Sequence, residues 1–353
     1  MRQFSDSELQ ALRKQQDPLA DEAVKAIFAD DKAKYFREII SQLTFNSDEP
    51  KGELLAEVER FFKETDQLPY WANRQKMKTA VAVFKKNIVQ IMSLLGTLSL
   101  PYCYAAADGA QVLALSERVK KDTYNRLLET ALFIFDLFAQ NSLEKSGRAL
   151  RSIQKVRLIH AAIRLHISEY GQWNEEWGKP VNQEDMLGTN LAFSLILLRG
   201  LKKIGCSISP KESEAWLHAW SVYGYLMGIE ADLLPQNLKE AFVLEKNIRK
   251  RNFKASDAGR MLTSSLVEYF RHLPETAKFP RGYMPSYMRF VLGEKTADLL
   301  AIPKANWSGI FVQQFRLLNL FGISPNQEPL TRELIIQQLS YEPNFATPEK
   351  LGF

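Results

Sequence analysis

Apolar residues recur at three- and four-residue spacing along nearly the whole chain, while β-branched alternation bounded by turn dipeptides is essentially absent. The spacing predicts helices over 7–30, 33–43, 51–64, 73–98, 108–140, 148–170, 183–204, 211–228, 235–249, 255–272, 283–299 and 305–321. Several open on caps, as in "SPKESEAW" from Ser209 and "SDAGRML" from Ser256, or stop at Gly or Pro. The expected class is all-α, a multi-helix single domain with helical extensions. No fixed-period repeat occurs, which argues against a solenoid.

Polarity divides the chain into an N-terminal helical extension, 1–66, a main body, 67–303, and a C-terminal helix and tail, 304–353, where Pro, Asn and Glu become frequent. A chain of 353 residues, 46% hydrophobic and 11% aromatic, can bury a large core. Its formal charge of +5 is scattered apart from short clusters such as "EKNIRKRNFK" at 245–254, too small an excess to argue for nucleic acid.

Cys103 and Cys206 lie far apart in apolar surroundings, so no disulfide framework is expected and the cytoplasm is the default compartment. The first residues lack the apolar core of a signal peptide and read as a capped amphipathic helix starting near Ser5 or Ser7. The uncharged stretch "NIVQIMSLLGTLSLPYCYAAA", 87–107, has nearly the length of a bilayer span. Its Gln90, Ser93, Thr97, Ser99 and central Pro101, with no flanking aromatic belt, favour a buried core helix and turn.

Chemistry concentrates in "QKVRLIHAAIRLHI", 154–167. At 100° per residue, Arg157, His160 and Arg164 share the more aliphatic side of one helix, with His166 opposite. A buried arginine is costly unless an anion neutralises it. Two readings satisfy this. Carboxylates of a neighbouring helix could pair with the arginines around a packed histidine. Alternatively, the imidazole ligates haem iron while the guanidiniums hold the two propionates.

The preceding helix, "DTYNRLLETALFIFDLFAQ", places Arg126, Thr130, Phe133, Ile134 and Leu137 on one face and Glu129 on its polar edge, where a solvated carboxylate is expected. Arg126 and Thr130 fit a packed role or a ligand-facing one equally. The linker "NSLEKSG" is long enough for a splayed antiparallel pair that brings Thr130 level with His160. With only His160, His166, His218 and His272, no HExxH, no CxxC, no phosphate-binding glycine loop and no G-x-S-x-G elbow, chemistry carried by a cofactor is the natural expectation.

"RLIHAAIR", "PVNQEDMLGTNLAFS", "AWLHAWSVYGYLMGIEADLLP" and "YMRFVLGEKTADLLAIP" together resemble the oxygenase family that includes the latex-clearing proteins and the prenyl-chain-cleaving oxygenase of mycophenolic acid biosynthesis. The likeness runs from about "LPYWAN" at 68 to Pro303. It implies a globin-like helical core holding haem b, with His160 as proximal iron ligand, Arg157 and Arg164 at the propionates, and Arg126 and Thr130 on the distal side. A hydrophobic, isoprenoid-like substrate and dioxygen are the implied partners.

Rubber-cleaving relatives carry a lysine where this chain has Glu129, and neither Asp108 nor Glu117 matches their distal carboxylate. A haem protein without turnover (a carrier, store or sensor) is therefore the second expectation, and a cofactor-free helical scaffold the third. "NQEDM" and "WLHAWSVYGYLMG" are expected to serve packing and pocket lining, with His218 and Trp220 structural.

Overall fold

Helices begin where the chain supplies an acceptor for the first free amides. The computed structural model describes residues 4–29, 33–115, 123–170, 172–271, 282–304 and 331–338. Ser5 and Ser209 form capping boxes with Glu8 and Glu212. Asp17, Asn73, Asn182 and Asn237 cap the helices Pro18–Phe28, Arg74–Lys86, Gln183–Leu191 and Leu238–Asn252. The fold is all-α: among the described residues only an isolated bridge joins Ala106 to Phe253.

Expected helices are divided in several places, the run at 73–98 among them, which breaks at Asn87. The first helix becomes Asp6–Leu12 and Pro18–Phe28, because Pro18 lacks an amide and its fixed φ suits the opening turn of a new helix. The run at 283–299 becomes Tyr283–Leu292 and Glu294–Leu299, separated by Gly293 at φ +86°. The helix expected at 305–321 lies outside the described residues.

The uncharged stretch is buried, as its polar residues suggested, and no single described helix is long and apolar enough to cross a membrane. It forms the helix Ile88–Tyr104, which meets Arg74–Lys86 at an 84° bend and widens into a π turn over Leu95–Ser99. A second π turn, Ala192–Ile196, interrupts the helical run that starts at Gln183. The two lie against each other, and Ser99 Oγ donates to the Ala192 carbonyl at 3.0 Å. Such turns occur mostly as local insertions, frequently beside functional sites.

Three apolar clusters hold the helices together. The largest joins the uncharged helix to Thr123–Phe138, Pro210–Leu226, Asp257–Arg271 and Tyr283–Leu292. A second belongs jointly to the N-terminal helices and the histidine helix Ala149–Tyr170: Val24, Ile27, Phe36 and Phe61 pack against Leu158, Ile159, Ala161 and Ala162. The histidine helix is thus covered on one side by the N-terminal segment. A third cluster packs Asp6–Leu12 against Gln183–Leu191 and Leu238–Asn252.

Asp257–Arg271 approaches the end of Ile88–Tyr104 so closely that a Cβ on Gly259 would stand 2.4 Å from the Tyr104 carbonyl oxygen. Backbone cannot yield as a side-chain tip does. Gly259→Ala is therefore expected to destabilise the fold by about 1–3 kcal/mol, read as a lower urea midpoint; an unchanged midpoint refutes the close approach.

Candidate functional site

Between the histidine helix and Thr123–Phe138 lies a largely apolar cavity of about 720 Å³. That volume is in the range of sites that enclose a small ligand or cofactor. The histidine helix presents Val156, Ile159, His160, Ile163 and Ile167 to it, and the facing helix presents Arg126, Glu129, Thr130, Phe133 and Leu137. Residues at i, i+3, i+4 and i+7 share a face, so each wall follows from local helix geometry.

His160 is surrounded by protein, yet its ring keeps accessible surface, and that surface belongs to the cavity it lines. Nδ1 is buried without a hydrogen-bond partner, which leaves the Nε2 side of the ring facing the open space. Burial first, and the nearby Arg164 cation second, push the His160 pKa down to about 4, against a smaller opposing pull from Asp17. The imidazole is neutral at pH 7, the state in which it ligates a metal. Among the described residues no group of three His, Cys, Asp or Glu is placed to hold an ion. A metal at His160 would therefore come with a cofactor supplying its remaining ligands, and a neutral, unpartnered imidazole on a roomy apolar cavity fits haem.

The flanking arginines behave differently from each other. Arg157 Nε and Nη2 donate to the two oxygens of Asp17 at 2.6 and 2.8 Å, and Nη1 donates to the Leu226 carbonyl at 3.2 Å. All three of its nitrogens are engaged within the chain, so here the neighbouring-carboxylate reading describes what is seen. Arg164 Nε donates to Asp21 Oδ1 at 2.5 Å, but Nη1 and Nη2 are buried with no partner. Two idle charged donors four residues from His160 suit an anionic group. Neither arginine lines the cavity itself.

On the facing wall, Thr130 Oγ1 donates to the Arg126 carbonyl at 2.9 Å, which leaves the hydroxyl only acceptor capacity toward the cavity. Glu129, expected on the solvated edge, lines the cavity instead. The reason is angular: the cavity faces an arc shared by residues 126, 129 and 133, not one centred on Thr130. The same arc excludes Ile134, which is buried elsewhere in the core. His166, expected on the opposite side of the helix, also borders the cavity.

Several lining residues come from outside these two helices. Asp185 lies beside Gly109, where a Cβ would meet its Oδ1 at 3.0 Å; it is bound by Arg13 at 3.0 Å, and burial raises its pKa despite that cation. Glu245 accepts from Tyr102, Arg199 and Arg249. Asp185 belongs to "NQEDM", a motif expected to serve packing and pocket lining, and it also stands at a helix start, where its N donates to Asn182 Oδ1. Asp108 pairs loosely with Arg13 at 3.9 Å outside the cavity, and Glu117 lies outside the described residues. His218 accepts from the Asn73 amide at 2.9 Å, away from the cavity. Trp220 belongs to the aromatic cluster of Phe138, Phe193 and Tyr223 while touching the cavity.

Two outcomes follow for the cofactor-free protein. Asp17→Ala strips a buried cation of its counter-charge and is expected to cost about 3–5 kcal/mol in denaturant unfolding; a loss below about 1 kcal/mol contradicts the pair. Because the unfolded chain protonates His160 near the ordinary imidazole value of 6.5 and the folded chain only near 4, its stabilising contribution is present above pH 6.5 and is lost as pH falls through 4. A His160→Gln variant should show a flatter melting temperature across that window, and identical profiles for variant and wild type would contradict the assignment.

Comparison with known proteins places this geometry in a family. The profile described as "ER-bound oxygenase mpaB/B'/Rubber oxygenase, catalytic domain" matches residues 88–321. The chain is 21% identical over 291 residues to the rubber oxygenase of Streptomyces sp. (strain K30), a match covering 82% of this chain and 71% of that protein. Its fold is similar to that of the latex clearing protein LCP solved in the closed state, with a TM-score of 0.76 and 19% identity over 92% of this chain and 90% of that one. With two thirds of its length matched and the same all-α architecture, the chain belongs to the mpaB/rubber oxygenase family and is an oxygenase.

Proposed function

We propose that the protein is a haem b-dependent oxygenase that oxidises or cleaves a hydrophobic, unsaturated, isoprenoid-like substrate with dioxygen. The observation that carries this reading is the neutral His160 ring, its Nε2 side turned toward an apolar cavity of about 720 Å³. The substrate class draws on the rubber oxygenase relative.

In this reading His160 would ligate the iron, and Arg164, whose Nη1 and Nη2 are buried without a partner outside the cavity lining, would reach a carboxylate of the porphyrin only by turning toward it. Bound haem would supply the iron at which dioxygen is activated. Arg126 offers the cationic donor on the facing wall and stabilises negative charge developing on oxygen. Thr130, its proton committed to a carbonyl, positions by accepting. Phe133, Leu137, Ile159 and Ile163 exclude water and hold an apolar chain against the reacting face. Glu129 adds a negative charge to that wall, which distinguishes this site from those with a lysine there.

A haem-binding protein without turnover is the second reading, favoured by the committed Thr130 proton, which removes one of two expected donors. The test is an absorption spectrum of protein expressed with haem precursor, as isolated, reduced and carbonyl-bound. Wild type and His166→Ala should show a Soret band, whereas His160→Ala should lose it. Equal bands in both variants, or none in wild type, would falsify the haem reading. Oxygen-dependent loss of an added polyisoprenoid alkene then separates enzyme from carrier.

A further inference from the structure

The charge cluster at 245–254 lies mostly on the helix Leu238–Asn252, whose two faces are unlike. Inward, Leu244, Glu245, Ile248 and Asn252 are buried, and the last three border the cavity. Outward, Lys239, Phe242, Lys246, Arg249 and Lys250 are all exposed. At 100° per residue these five fall within an arc of about 100°. One helix is thus both cavity wall and outer surface.

That outer arc holds no acid. Glu240 is turned aside and accepts from the Gln236 amide at 3.1 Å, and Glu245 points inward to Tyr102. Lys239, Lys246 and Lys250 have no ion-pair partner among the described residues. Phe242 is 49% exposed, with the Arg199 guanidinium 5.0 Å from its ring. Lys202 and Lys254, near Arg199 and the helix end in sequence, are exposed as well. Cations with an aromatic ring between them are the composition that seats a helix at a lipid interface.

We propose that the outer face of helix Leu238–Asn252 docks on an anionic lipid surface, from which a hydrophobic substrate reaches the cavity behind the same helix. Unpaired lysines supply the attraction and Phe242 the apolar contact. Arg249 belongs to both sides, since it lines the cavity and keeps 46% of its side chain exposed. The route into the cavity rests on the hydrophobic-substrate reading; the lipid contact does not, and the two fail separately.

The experiment is co-sedimentation of the full chain with phosphatidylcholine vesicles, with and without phosphatidylserine, at low and high salt. Wild type should bind the anionic vesicles, more weakly as salt rises, and leave the neutral ones unbound. Lys246→Ala/Lys250→Ala should lower binding by roughly tenfold or more. Lys63→Ala/Lys211→Ala, two exposed lysines on other helices, should change it by less than about twofold. Circular dichroism and melting curves of both double variants should match wild type.

No binding to anionic vesicles, equal binding to neutral ones, or equal loss in both double variants overturns the proposal. A protein that sediments with vesicles yet takes up no haem would sink the functional reading and leave this surface standing. Haem uptake without vesicle binding does the reverse.

Discussion

Two of the three buried guanidiniums on the histidine helix set the terms for everything around them. Arg157 and Arg164 lie within a turn or so of His160, in an interior where an unpaired cation is among the costliest arrangements. Asp17, the N-cap of Pro18–Phe28, and Asp21 in its first turn answer them. The apolar cluster beneath those pairs, with Val24 and Ile27 against Leu158 and Ala162, holds the N-terminal helix in register with the histidine helix. Charge and packing point to the same docking, and the histidine helix is held on its far side while its near side faces open space.

Open space inside a packed protein needs walls that cannot collapse. Two π turns in contact stand beside the cavity, with Cys103 after the first and Thr189 before the second lining it. A π turn rotates the side chains within and after it relative to a regular helix, and Phe193 inside the second turn and Leu100 just after the first both line the cavity. Aromatic stacking behind them, with Phe138 and Trp216 rings 4.4 Å apart, makes the surround stiff. The cavity is therefore a product of helix irregularity as much as of residue size.

Helix class and the His160 face were legible in the sequence because both depend on spacing within a few residues. Arg126 and Thr130 were legible for the same reason: one helical face carries them to the same cavity as His160. Partners of Arg157 and Arg164 were not, since Asp17 lies 140 residues from Arg157 and nothing local marks the match. Glu129 was misplaced because a face assigned from periodicity has no fixed width, and the cavity is wider than a stripe. The division of the first helix at Pro18 was visible in the proline itself, while neither π turn has a composition that announces it.

The turn after Pro210–Leu226 carries a constraint of its own. Gly228 sits at φ +94°, and a Cβ there would stand 2.6 Å from Asp17 Oδ2 and 2.9 Å from Arg157 Nε. Three segments remote in the chain therefore meet at one point with no spare volume. A loop transplanted from a relative into this position must bring glycine with it, and a carboxylate or guanidinium of different reach at 17 or 157 must arrive together with a reshaped turn. Positions 17, 157 and 228 are, in engineering terms, one component to be exchanged whole.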